Sequence, residues 1–161
     1  MSYDIELKDP VMGETIEFDT PHQMKGGTYQ VGGSTEAWLN ITYNYSGYYY
    51  DATEDDPRFF GKTKDDYPEE EPRNLGIRGI YGKTGAESIP MLRDMIRRIT
   101  EKYSKDGEWI TTEREKHGVI EKVFEGVSTD YWKATAGNAI RPLFQLISFA
   151  QLRPDGIWDG D

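Results

Sequence analysis

Asn40, Thr42 and Asn44 stand at every second position of NITYN, inside the alternating run AWLNITYN (37–44). On a strand, that period places Leu39, Ile41 and Tyr43 on one face and Trp38, Asn40, Thr42 and Asn44 on the other. Asn and Thr offer donors and acceptors without charge, which suits a nucleobase edge or a ribose hydroxyl. Trp38, Tyr43, Tyr45, Tyr48, Tyr49 and Tyr50 surround them, and any of these rings can stack on a flat ligand. DYWKATAGNAIR adds Trp132, Thr135, Asn138 and Arg141 where an apolar-periodic run begins. The same residues also read as polar strand surface over a tyrosine core, and the sequence leaves both readings open.

A phosphate would need cations or free amides. GIRGIYGKTGAESIP (76–90) contains GKT, the tail of a Walker A loop. That motif requires a first glycine five positions before Gly82, and Ile77 stands there. Gly76 and Gly79 are out of register, so this is not a nucleotide-hydrolase loop. Thr84 followed by Glu87 instead predicts a capping box at a helix start, with Ser88 before Pro90 as a competing start. The amides of that start, with Lys83 beside it and Arg78 nearby, form a candidate site for one phosphate or carboxylate, although Glu87 competes for it.

Other chemistry is poorly served. The two histidines, His22 and His117, lie in turn-like segments without the spacing of metal ligands. There is no GxSxG elbow. Zero cysteines exclude disulfides and thiolate sites. Asp155, Asp159 and Asp161 cluster in PDGIWDGD but lack the spacing of a calcium loop. No catalytic residue, metal or cofactor is nominated.

A formal net charge of −10 argues against duplex nucleic acid as a ligand, because phosphate contacts need a basic surface. It permits an acidic face that docks on a basic protein. No apolar run approaches the roughly 18 residues of a membrane helix, and MSYDIELKDP lacks a signal-peptide pattern. A cytoplasmic protein without membrane contact is expected, and a homodimer is possible if the aromatic sheet faces need covering.

These residues require elements to position them. Tyr3, Ile5 and Leu7, then Ile16 and Phe18, predict an N-terminal hairpin about DPVMGE, with TYQV (28–31) as a third short strand. Ser46 is a candidate N-cap for a helix near GYYYDAT. Residues 51–74 carry acid runs and three prolines, predicting an exposed, flexible loop. Ile89, Leu92, Ile96, Ile99 and Tyr103 predict a helix. EWITTEREKHGVIEKVF predicts a hairpin insertion (107–127), and the segment striped by Ile140, Leu143, Ile147 and Ala150 predicts one long or two consecutive helices, with Asn138 as a candidate cap of the second and Pro142 at a first turn or kink. The expected fold is one α+β domain (1–161): a small antiparallel sheet on about three helices.

The segments WLNITYNYS, GIRGIYGKTGAESIPML, DYWKATAGNAIRPL and RPDGIWDGD resemble a family of small proteins encoded by bacteriophages and mobile elements. The likeness covers most of the chain outside the acidic loop and the second hairpin. It implies a phage context, inside a bacterial host, without naming a reaction. With no catalytic apparatus visible, the expected function is binding: sequestration of a nucleotide-like small molecule, such as a defence signal, by Asn40, Thr42, Asn44, Tyr48, Arg78, Lys83, Thr84, Trp132, Asn138 and Arg141. The alternatives are an acidic inhibitor of a host defence protein and a nucleotide-processing enzyme.

Overall fold

The computed structural model describes residues 1–22 and 34–161. Strand β1 (Ser2–Lys8) buries Tyr3, Ile5 and Leu7, the alternation expected of a strand with one face on a core. The chain turns at Asp9, whose carboxylate accepts from the amides of Val11 and Met12. β2 (Glu17–His22) follows, then β3 (Ser34–Glu36) and β4 (Trp38–Thr42). The expected N-terminal hairpin closes only at its mouth, where Lys8 bridges Thr15; beyond it β2 leaves β1 and pairs with β3. The predicted strand at 28–31 lies outside the described residues.

Thr42 ends β4 by capping a 3-10 turn (Tyr43–Tyr45), its Oγ1 accepting from the Asn44 amide. Helix α1 (Ser46–Thr53) starts directly after, so Ser46 is its first residue rather than its cap. The acidic segment is tied down at its start: residues 51–53 complete α1, Phe59 is fully buried, and Asp56 accepts from Arg58 and Arg98. β5 (Phe60–Gly61) and β6 (Arg73–Asn74) close the base of the exposed stretch between them.

A 3-10 segment (Gly76–Ile80) leads into α2 (Gly85–Tyr103), and here the glycines find their use. A Cβ on Gly79 would stand 2.7 Å from the Phe59 backbone, so only glycine lets these segments touch. The capping box is present in full: Thr84 Oγ1 accepts from the Glu87 amide at 3.1 Å, and the Glu87 carboxylate accepts from the Thr84 amide at 3.2 Å. α2 buries Met91, Leu92, Met95 and Ile99. β7 (Ser104–Lys105) and β8 (Glu108–Trp109) form a two-rung turn.

The predicted hairpin is present as β9 (Thr111–Lys116) and β10 (Val119–Phe124). Its tip, His117 and Gly118, has φ of 53° and 78°, the double left-handed conformation that suits a two-residue hairpin turn. Helix α3 (Ala136–Leu152) is a single helix with Pro142 inside it. Thr135 caps it, accepting from the Asn138 amide at 3.1 Å. β11 (Ile157–Gly160) then returns beside β1, giving a three-stranded antiparallel sheet in the order β11-β1-β4.

The fold is α+β, as the element pattern predicts. One cluster of buried residues joins the sheet to all three helices, from Ile5, Leu7 and Ile41 through Tyr49 and Leu92 to Leu143, Leu146 and Trp158. Trp158 locks β11 to the start of α2, its indole N–H donating to Ser88 Oγ at 2.8 Å. Among the described residues, no helix is long and apolar enough to cross a membrane.

Candidate functional site

The ten candidate residues separate into groups. Asn40 lies on β4 and donates from Nδ2 to Ser2 Oγ at 2.6 Å and to Asp4 Oδ1 at 2.8 Å, cross-strand contacts that hold the sheet. Thr42 is buried as a cap. Because β4 stops at Thr42, Asn44 lies in the 3-10 turn, and the expected continuous face of Asn40, Thr42 and Asn44 does not form.

Asn44 and Tyr48 do come together. They line a cleft of about 450 Å³ between the start of α1, the end of α2 and β9, with Tyr103, Lys102, Asp51, Thr112 and Arg114. Asn44 is exposed and donates from Nδ2 to the Trp132 carbonyl at 2.7 Å, leaving its own side-chain oxygen open. Gly47 forms part of the wall, and a Cβ built on it meets nothing within 4 Å. Lys102 pairs with Asp51 at 2.7 Å and keeps two further N–H groups.

Beneath this cleft sits a residue that sequence reasoning missed. Glu125 is completely buried, and its carboxylate accepts from Tyr48 Oη at 2.5 Å, Thr112 Oγ1 at 2.6 Å, and Arg114 and the Ala136 amide at 2.9 Å each. Burial pushes its carboxyl up, but the bonds from Thr112, Tyr48, Ala136 and Arg114 outweigh that and hold it below its ordinary value. Arg114 also contacts the Tyr48 hydroxyl, and burial together with Glu125 raises the Tyr48 pKa. Tyr48 and Arg114 are thereby fixed as walls of the cleft. In sequence, Glu125 is one carboxylate in an acidic chain; the only available signal was its place after an alternating strand and before a helix start.

Asn138 is buried and structural. Its Oδ1 accepts from the Ser128 amide at 2.9 Å, and its Nδ2 donates to the carbonyls of Asp130 and Lys133. It therefore ties the loop before α3 rather than capping the helix. That loop carries Trp132, which is 48% exposed and lies against Tyr131 with ring centroids 4.6 Å apart. Arg141 is half-buried on α3 near the Tyr45 hydroxyl and lines neither this cleft nor the second one described below.

The anion site expected at the start of α2 is already filled. Glu87 occupies the Thr84 amide, while the amides of Gly85 and Ala86 donate to the carbonyls of Gly156 and Pro154. Lys83 is held through its backbone between Ile80 and Trp158. With every amide of the first turn spoken for, a phosphate has no donor there. The start of α3 is likewise closed by Glu125.

Arg78 faces elsewhere. Its guanidinium donates to the Asp161 carbonyl at 2.9 Å and to Tyr43 Oη at 2.8 Å, and stands 4.7 Å over the Tyr3 ring. It also lines a second cleft of about 500 Å³, with Lys62, Lys64, Arg73, Leu75 and Tyr81. The three aspartates near the end of the chain do not converge: Asp155 pairs with Arg153, Asp159 with Lys8, and Asp161 accepts from the Asp4 amide. Among the described residues, no cluster of three or more His, Cys, Asp or Glu is placed to hold a metal ion.

Comparison of the chain with known protein families, curated proteins and solved structures finds no match.

Proposed function

We propose that this protein binds a nucleotide-like small molecule, without turning it over, in the cleft walled by α1, the end of α2 and β9. The observation that carries the reading is the meeting of Asn44 and Tyr48 with Tyr103, Lys102 and Arg114 around one cavity of about 450 Å³. That volume falls in the range of small-molecule sites, and the lining mixes aromatic rings with a few convergent polar groups. The open side-chain oxygen of Asn44 suits an amino or hydroxyl donor, and the spare N–H groups of Lys102 and Arg114 suit a ribose or phosphate oxygen. The one buried carboxylate of the lining, Glu125, is consumed by four donors, and Asp51 is paired with Lys102. The resemblance to phage-encoded proteins supports a finer role, sequestration of a nucleotide defence signal in an infected host.

A thermal-shift screen against cyclic di- and trinucleotides, ADP-ribose derivatives and NAD tests this, with each ligand re-analysed after incubation. At 100 times its dissociation constant, a ligand that binds only the folded state stabilises it by about 2.7 kcal/mol. Gly47→Trp should fill the cleft and abolish the shift while the free protein melts as before. It is a cleaner probe than Asn44→Ala, which also releases the Trp132 loop. Altered ligand after incubation would make the protein an enzyme; no shift across the panel would sink the reading.

A further inference from the structure

We infer that the second cleft, between residues 62–66 and the end of β11, is a separate binding site for the phosphate group of a small molecule. This inference does not rest on the first cleft. Four basic residues line it, Lys62, Lys64, Arg73 and Arg78, against Asp65, Asp66, Asp159 and Asp161. What matters is which of these charges are already used.

One of the acids is neutralised from outside the cleft, and two more are held by backbone amides. Asp159 accepts from Lys8, which stands outside the cleft, at 2.6 Å, and from the Gly160 amide at 2.8 Å. Asp161 accepts from the Asp4 amide at 3.1 Å, and Asp66 from the Thr63 amide at 2.9 Å. Asp65 alone has no partner among the described residues. The cations are less committed. Lys64 has no hydrogen bond or ion pair among the described residues, and Lys62 donates only to the Pro68 carbonyl, at 2.6 Å. Arg73 reaches Asp66 only at 3.3 Å and is half-exposed. Three ammonium or guanidinium groups with N–H capacity to spare therefore converge on one cavity, in a chain whose formal net charge is −10.

A further observation points to an oxygen-bearing ligand. The Tyr81 hydroxyl, in the wall of this cleft, is buried without a hydrogen-bond partner. Buried hydroxyls are nearly always paired, and this one still has a bond to give. A compact ligand is implied rather than a nucleic acid, because a long polyanion would meet the acidic surface around the cleft. The charge-assisted bonds available to Lys and Arg suit a phosphate group.

The test is titration calorimetry with inorganic pyrophosphate, and in parallel with ADP-ribose, on the wild type, Lys62→Glu, Lys64→Glu, Tyr81→Phe and Gly47→Trp. Saturable pyrophosphate binding is expected, weakened about tenfold or more by either lysine reversal. Tyr81→Phe should weaken it without lowering the melting temperature of the free protein, because it removes an unpaired buried hydroxyl. Gly47→Trp should bind pyrophosphate like the wild type, which separates this site from the first cleft. Binding of ADP-ribose that is tighter than pyrophosphate and shares these losses assigns a phosphate ester as the ligand; pyrophosphate binding alone assigns the free anion. Absence of saturable binding at millimolar pyrophosphate, or binding unchanged in both lysine variants, would overturn the inference.

Discussion

Glu125 joins β10, β9, α1 and the first turn of α3 through a single carboxylate, so the cost of removing it is concentrated. Glu125→Ala leaves Arg114, Thr112 and the Ala136 amide without this acceptor, and Tyr48 with only the Ala134 carbonyl at 3.2 Å. Breaking a buried ion pair from one side costs about 3–5 kcal/mol, and the low end applies because Arg114 is partly exposed. Urea denaturation should show a loss of about 3 kcal/mol, and the double variant Glu125→Ala with Arg114→Met should recover part of it. If Glu125→Ala unfolds at the same urea midpoint as the wild type, the carboxylate does not hold the hairpin to the helices. Asn138 teaches a related lesson. Its type and position suggested ligand recognition, yet all of its side-chain bonds serve the loop that precedes α3.

At the scale of elements, local signals survive best where the partners are close in sequence. The capping box of α2 needs only Thr84 and Glu87, three residues apart, and is found as predicted. Thr84→Ala should cost about 1 kcal/mol by thermal or urea unfolding, the usual value of a lost cap. Gly47 sits in α1 with open space where a side chain would be, so Gly47→Ala should stabilise by about 0.5 kcal/mol. A destabilised Gly47→Ala would mean that the wall of the first cleft is less open than it looks. The turn of the β9–β10 hairpin was legible for the same reason, since His117 and Gly118 set its geometry alone. The pairing of β2 was not, because nothing within β1 or β2 states that β11 and β4 will occupy both edges of β1.

For the whole molecule, the charge distribution sets how stability depends on pH. Bonds from Arg58 and Arg98 hold Asp56 well below the usual carboxylate range despite its burial. The amide of Met12, with Arg153 and the amide of Val11, lowers Asp9 to about 2. With Glu125 also depressed, these groups stabilise the fold fully above their ordinary pKa values of 3.8 and 4.5, and that stability is lost as pH falls through their folded values. Tyrosines act at the other end. Burial raises Tyr45, Tyr48, Tyr49 and Tyr81 above 10, so their contribution is present below that pH and lost as pH rises through the folded values. Acid unfolding followed by near-ultraviolet circular dichroism should begin below pH ~4.5. Tyrosinate absorbance should rise in two stages, exposed rings first and buried rings only with unfolding. A single stage near pH ~10 would contradict the burial of these hydroxyls.

The sequence by itself determined the α+β class, the three helices, the capping box, the second hairpin and the absence of a Walker loop. Each depends on periodicity or on residues a few positions apart, where backbone geometry leaves few alternatives. Only the tertiary structure decided which polar residues remain open to a ligand. Asn44 and Asn138 are the same residue type, yet one lies exposed in a cleft wall and the other is buried with both side-chain ends engaged. Lys62 and Lys64 looked like part of a solvated acidic loop until β5 and β6 closed its base and set them opposite Arg78 and Tyr81. The physical reason is that hydrogen-bonding capacity is spent between partners distant in sequence. Whether a side chain still has a bond to offer is fixed only when those partners meet.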